Sequence, residues 1–323
     1  MGFDYNTVNE HLVRAELWSD QLKEILKDRL QGTKYVRWLS NFPDGNTLTI
    51  PSIGEIPMRE TAELTPVIYD AMDTGEFQLL IDRYVEAATY ITDKAKQDSF
   101  YSNQLIASFI PKMRRALEEN LETSIFALCG SQTIGDKNQI NDADHRFVGS
   151  DTTTGNLGFG DFAKAKFALD KASTTGARYA VVDPSQEYIL NVTTNIVNVS
   201  NNPRFDGLIN TGFVNDVTGM SFIKNIYGFD VYVSNYLSAT KTDENTNLSG
   251  ADVNTTGFVQ NFFCSLGGMD ETPFVGAWRQ EPRVEYDRNK DLRRDEYVMN
   301  ARFGLKLYRP ESLVVALTPN TVA

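Results

Sequence analysis

Cysteine and histidine are nearly missing from this chain. Cys129 and Cys264 are the only cysteines, too few for a disulfide framework or a cysteine zinc cluster. His11 and His145 are the only histidines. No apolar run approaches the ~18 residues that a bilayer span needs, and Met1 to Asn6 lack the basic and apolar regions of a secretory signal. No Walker loop, Rossmann fingerprint or Gly-x-Ser-x-Gly elbow occurs. Positive charge is short too. Thirty-one basic residues face 43 acidic ones, a net charge of −12, which argues against a dedicated nucleic-acid reader. These absences predict a structured protein without a membrane span, catalytic group, cofactor or metal.

What the chain does have is length and aromatic bulk. Its 323 residues suggest about two structural units, and 19 Phe with 14 Tyr mark a packing sequence. Residues 6–30 read as an amphipathic helix, with Trp18, Leu22, Ile25 and Leu26 on the apolar stripe. A helix at this terminal position fits an arm that packs on a partner as well as one that packs on its own domain.

Between Asn46 and Asp93 the character changes. Thr47 to Pro51 and Ile53 to Pro57 alternate like strands, but their prolines confine them to edges or bends. Leu79 to Thr92 reads as the return strand of one long projecting hairpin. Nine carboxylates in this stretch, Glu60 and Glu63 among them, face only Arg59 and Arg83. Residues 99–129 follow as the longest helical signal, with Pro111 predicting a kink or break and Gly130 an end.

Residues 131–160 read as a surface excursion rich in Gly, Asp, Asn and Thr. A second unit is predicted from Asp161, capping a helix over 162–173. A buried strand Arg178–Val182 follows, and then a helix opened by Asp183-Pro184-Ser185, a strand–turn–helix pattern of mixed α/β character. Met220–Ile226 and Phe229–Ser234 pair around Tyr227-Gly228. Residues 238–256 read as a mobile polar loop, and 272–319 as strands. Nine Arg/Lys against six acids between Arg279 and Arg309 give this tail the opposite charge balance to the hairpin.

No residue set stands out as chemical machinery. Asp142, Asp144 and His145 lie close in sequence but lack a calcium-loop pattern or a second histidine. Cys129 and Cys264 sit in apolar surroundings, as small buried hydrophobes do. The Asn-x-Ser/Thr sites are coincidences of an Asn/Thr-rich chain in the absence of a secretory signal.

The order of these elements resembles the Hong Kong 97-type major capsid proteins of tailed bacteriophages. Arg178-Tyr179-Ala180-Val181-Val182-Asp183-Pro184 is similar to the strand after the first helix of that family's axial domain. Gly228-Phe229-Asp230-Val231-Tyr232-Val233-Ser234-Asn235 resembles its Gly-Phe-x-Val-x-x-Ser-Asn segment. Arg293 to Leu307 and Leu313 to Leu317 resemble its last peripheral strands.

The resemblance implies an α+β capsid fold with a helical N-terminal arm over 1–45 and an extended loop over 46–98. It implies a peripheral domain from 99–160 plus 271–323, built on a long spine helix, and an axial domain over 161–270. It further implies hexamers and pentamers of this chain in an icosahedral shell around double-stranded DNA, held without sequence-specific contacts. Trp18, Leu22, Ile25, Arg59, Glu60 and Glu63 are the candidate inter-subunit contacts. With only about 35 residues ahead of the fold, a separate scaffolding protein is expected, beside a portal and a decoration protein. Assembly is expected in the host bacterial cytoplasm. Cross-linked relatives use an extended-loop lysine, and none occurs between Asn46 and Asp93. An encapsulin-like compartment is the alternative shell. A two-domain enzyme or ligand-binding protein with 131–160 or 238–256 as a lid is the alternative from another class.

Overall fold

A computed structural model describes residues 30–39, 45, 47–53, 58, 60, 74–98, 102–131, 138–150, 154–192, 222–244, 248, 252–267 and 271–320. The amphipathic helix expected over 6–30 therefore lies outside the described residues. In chain order, a tight turn at Gly32–Tyr35 leads into β1 (Val36–Leu39), β2 (Thr47–Ile53), β3 (Thr74–Leu80) and β4 (Arg83–Thr92). Helices α1 (Asp93–Asp98) and α2 (Ser102–Phe126) follow, then three short strands, β5 (Gln139–Ile140), β6 (Ala143–Asp144) and β7 (Arg146–Val148). Next come α3 (Phe159–Lys171), β8 (Ala177–Val182), α4 (Pro184–Val192), β9 (Phe222–Ile226) and β10 (Phe229–Val233). The chain closes with β11 (Val259–Leu266), β12 (Phe274–Asn289), β13 (Arg294–Leu307) and β14 (Leu313–Thr318).

Two sheets organise the subunit. The larger runs β7-β14-β11-β8-β10-β9 and mixes parallel with antiparallel pairs. Two of its inner strands are buried almost throughout, every residue of β14 and seven of the eight in β11, the pattern of strands covered on both faces. Phe263, Val314 and Ala316 point to one face, where Phe162, Ala165 and Leu169 of α3 and Leu190 of α4 cover them. Phe262, Cys264, Val315 and Leu317 point to the other, where Leu121, Ile125 and Phe126 of α2 pack with Tyr35 and Val36.

The smaller sheet runs β1-β12-β13-β4. Met299 and Ala301 face Met113 and Leu117 of α2, with Val85, Ala87 and Trp278 around them. One helix thus lays Met113 and Leu117 on the four-stranded sheet and Leu121, Ile125 and Phe126 on the six-stranded one. No helix among the described residues is long and apolar enough to cross a membrane.

Several sequence expectations change here. The helix runs unbroken through Pro111; that residue is exposed, so water can satisfy the carbonyl it orphans. The return strand of the hairpin is β3, paired with β2 from Thr47↔Leu80 to Ile53↔Thr74. β4 instead pairs with β13 from Arg294↔Thr92 to Phe303↔Arg83. Its alternation marks a half-buried sheet strand, because Val85 and Ala87 turn toward α2. The described part of 131–160 is not an excursion: Arg146, Phe147 and Val148 are buried in β7 against β14. Both strands, expected with the peripheral part of the chain, lie in the six-stranded sheet because runs this apolar need cover on two sides.

Helix α3 starts earlier than expected, with Gly158 at the cap. Asp161, three residues in, accepts from the Gly158 and Ser150 backbone N–H groups at 2.8 and 3.0 Å. The described parts of 238–256 are pinned rather than loose: Thr240 N–H donates to Phe258 O at 2.8 Å, and Glu244 N–H to Thr255 Oγ1 at 2.6 Å. The predicted turn at Tyr227-Gly228 is present, both residues having positive φ, 51° and 88°, as a two-residue hairpin turn requires.

Candidate assembly surfaces

The β2–β3 hairpin is rooted on the subunit at its Leu48–Leu79 end. Leu79 and Ile81 are buried against Val275 and Ala277, with Leu48, Phe77 and Tyr308 packed around them. Phe77 meets Tyr308 edge-on at 5.0 Å. Lys306 Nζ lies 4.7 Å over the Phe77 ring and donates to Gln78 O at 2.7 Å. Beyond this root, Thr47, Thr49, Pro51, Glu76 and Gln78 are exposed. Thr, Ile and Leu at alternating positions suffice to form the strands, but the hairpin has little apolar surface with which to make a core of its own.

Of the predicted contact residues, Trp18, Leu22, Ile25, Arg59 and Glu63 lie outside the described residues, and Glu60 is exposed. Sequence reasoning missed the residues that root the hairpin on its own subunit, namely Phe77, Lys306 and Tyr308. Their partners lie more than 200 residues apart (Lys306 from Gln78, for instance, by 228), and no local spacing announces such a pair.

The basic tail is largely engaged within its own subunit. Arg288 bonds Asp93 at 2.8 and 3.1 Å and Asp295 at 3.0 Å, while Lys96 Nζ reaches Asp295 at 3.0 Å. This cluster ties α1 to the end of the β12–β13 ribbon. The hydrogen bonds from Lys96 and Arg288 hold the Asp295 carboxyl below the usual carboxylate range, against the effect of burial. Arg283 pairs with Glu285 and Arg294 with Glu296, and Arg302 donates to Ile81 O at 3.4 Å. Lys290, Leu292 and Arg293 stand exposed at the ribbon's turn. The excess of tail charge seen in sequence is thus mostly an internal matter.

Polar chemistry inside the subunit is structural in character. Arg146, fully buried, forks onto Glu244 at 2.7 and 3.0 Å and onto Cys129 O at 3.1 Å. Beside this pair lies a cavity of about 310 Å³, with Lys241, Thr242 and Gln260 in its wall. His145 is buried, with Nδ1 3.1 Å from Ala143 O, and burial lowers its pKa. Asp144 turns instead to Lys164 at 3.4 Å. Burial pushes the Cys129 thiol up to about 12 and raises Cys264 further still, so neither is a nucleophile. Among the described residues no group of three or more His, Cys, Asp or Glu could hold a metal ion.

The described subunit is two sheets on a shared helix, with a hairpin rooted on the smaller sheet. The sequence profile of a family described as phage capsid protein matches residues 76–316, and the chain belongs to that family. It is a major capsid protein with the Hong Kong 97-type fold.

Its structure is similar to the capsid of cyanophage P-SCSP1u, with TM-score 0.70, 15% identity, and 97% of this chain and 95% of that one covered. The cyanophage Pam1 capsid gives TM-score 0.68 and 14% identity over 97% of this chain and 98% of that one. The mature capsid of bacteriophage PhiM1 gives 0.67 and 10% over 96% and 93%. No curated protein sequence matches the chain.

Proposed function

We propose that this capsid protein assembles as hexamers and pentamers into the icosahedral head that encloses the double-stranded DNA of a tailed phage. The observation that carries this reading is the hairpin. Two seven-residue strands do not stand alone in water, and beyond Leu79 and its neighbours little of this hairpin packs on its own subunit. A surface on a neighbouring subunit is what such a hairpin lacks. On this reading the six-stranded unit is the axial domain, and the four-stranded sheet with α2 is the peripheral domain. The β2–β3 hairpin is then the base of an extended loop that lies over the next subunit, and Arg59, Glu60 and Glu63 fall on that loop. The N-terminal arm expected over 1–45, with Trp18, Leu22 and Ile25, reaches other copies through the part ahead of Gln31.

The chain carries no catalytic role in this reading, and its partners are itself, a separate scaffolding protein, a portal and a decoration protein. A net charge of −12 suits a container for DNA, since a strongly basic wall would bind the duplex through counterion release and hinder its movement. Assembly takes place in the host cytoplasm. The shell is non-covalent: residues 46–93 contain no lysine, and arginine is too poor a nucleophile to replace one.

Electron microscopy of the chain produced together with its scaffolding protein, after size exclusion, tests the proposal. Closed icosahedral particles are expected, and a monomer or dimer with no particles overturns it. On a denaturing gel, boiled particles should give one band near 36.3 kDa, and a ladder of covalent multimers would refute the non-covalent shell.

A further inference from the structure

Glu122 lies in the second half of α2 and is only 1% exposed. Its two carboxylate oxygens take successive backbone N–H groups, Gln31 N–H on Oε1 at 2.9 Å and Gly32 N–H on Oε2 at 2.5 Å. Glycine at position 32 permits this approach, because a Cβ there would stand 2.6 Å from Oε2 and 3.1 Å from Cδ and would push the carboxylate back. The next contacts grip the other unit. Gln31 Nε2 donates to Val233 O of β10 at 3.1 Å. Lys34 Nζ sits 3.9 Å over the Tyr179 ring and 4.6 Å over the Tyr232 ring. Tyr35, fully buried, meets Phe262 edge-on at 5.4 Å. One residue later the chain enters β1 and joins the four-stranded sheet beside β12.

Gln31, Gly32, Lys34 and Tyr35 therefore hold the long helix and the six-stranded sheet between them, where the N-terminal segment meets the body. An apolar side chain would fill the Glu122 position at lower desolvation cost. What the carboxylate adds is direction, since charge-assisted bonds to two adjacent N–H groups fix the local path of the backbone.

We propose that Glu122 is the positioning residue for the N-terminal arm: it sets the direction in which the chain ahead of Gln31 leaves the subunit, so that shell geometry depends on it. This rests on the reading above that residues 1–29 contact neighbouring subunits. Gly32 is the second half of the same device.

The test uses the full-length chain carrying Glu122→Gln or Gly32→Ala, beside a chain lacking residues 1–29. The amide of Glu122→Gln keeps the shape but turns an NH2 toward one of the two donors. Both substitutions are expected to leave a cooperative subunit melt and to lower the yield of closed particles on the order of tenfold, the value of about one charge-assisted hydrogen bond. The deletion should lower it as well. Combining Glu122→Asp with Gly32→Ala withdraws the carboxylate from the new Cβ and should restore part of the yield lost by Gly32→Ala alone with no change in the subunit melt, whereas a merely structural role would move yield and melt together.

If the deletion impairs assembly while Glu122→Gln and Gly32→Ala assemble normally, the positioning role falls and the arm reading stands. If the deletion assembles normally, the arm reading falls and takes the inference with it. If Glu122→Gln fails to fold, the Gly32→Ala and double variants decide, and no recovery in the double variant overturns the proposal.

Discussion

The six-stranded unit and the hairpin-bearing unit solve opposite problems. In the first, both sheet faces are covered, by α3 and α4 on one side and by α2 on the other, and β11 and β14 are buried along almost their whole length. In the second, α2 covers one face of the sheet, Tyr84, Tyr90 and Tyr286 stand exposed, and the hairpin hangs from a root of a few residues. The first unit is stabilised by what it encloses. The second is shaped by what it offers, so damage to the two should be read out differently, as unfolding in one and as failed association in the other.

The comparison is broken most severely from inside the first unit. Phe262→Ala removes a fully buried ring from the junction of Tyr35, Phe126 and Phe274. It should cost about 3–5 kcal/mol, measured as a fall in the urea midpoint of the isolated subunit. Arg146→Ala leaves Glu244 buried without its fork and should cost a similar amount, about 3–5 kcal/mol. The paired variant Arg146→Met, Glu244→Leu should recover most of that loss, which separates the penalty of an orphaned charge from the worth of the pair.

In the second unit the effects shrink and move to assembly. Phe77→Ala loses the Tyr308 contact, an aromatic pair worth about 1 kcal/mol beyond its area. Particle yield should fall while the subunit's melting temperature moves by a few degrees at most.

The Asp93–Lys96–Arg288–Asp295 cluster sharpens the comparison through pH. Asp295 has its pKa lowered by Lys96 and Arg288, so its contribution is fully present above the ordinary carboxylate pKa of about 4 and is lost as pH falls through its lowered value in the folded state. Melting curves of wild type and Asp295→Asn should therefore differ at neutral pH and converge in acid. Smallest of all, Glu60→Lys should change subunit stability by no more than about 0.5 kcal/mol while lowering particle yield.

What was legible in the sequence follows the same division. The long helix, the strand at 177–182, the hairpin around Tyr227-Gly228 and the closing strands could be read because their periodicity or turn chemistry is local. β7 could not, being three residues long inside a polar stretch. β4 read as part of a free hairpin because a half-buried strand alternates in the same way wherever it is placed. Glu244 looked like part of a solvated loop because Arg146, the partner that buries it, is 98 residues away. The assembly surface was read as a general location, an acidic stretch with no core of its own, while its root at Phe77, Lys306 and Tyr308 depended on pairings that only the fold creates.

The position of β14 has a consequence for the timing of synthesis. This last strand is not an edge: it lies between β7 and β11, parallel to one and antiparallel to the other. A nascent chain still lacking Leu313–Thr318 leaves β7 with no strand beside it and the apolar edge of β11 open. Pairings this distant along the chain form late, after loop closure has been overcome. The six-stranded sheet therefore cannot close until Leu313–Thr318 have been made and have paired with both neighbours, so a chain cut short before Leu313 would lack a finished unit.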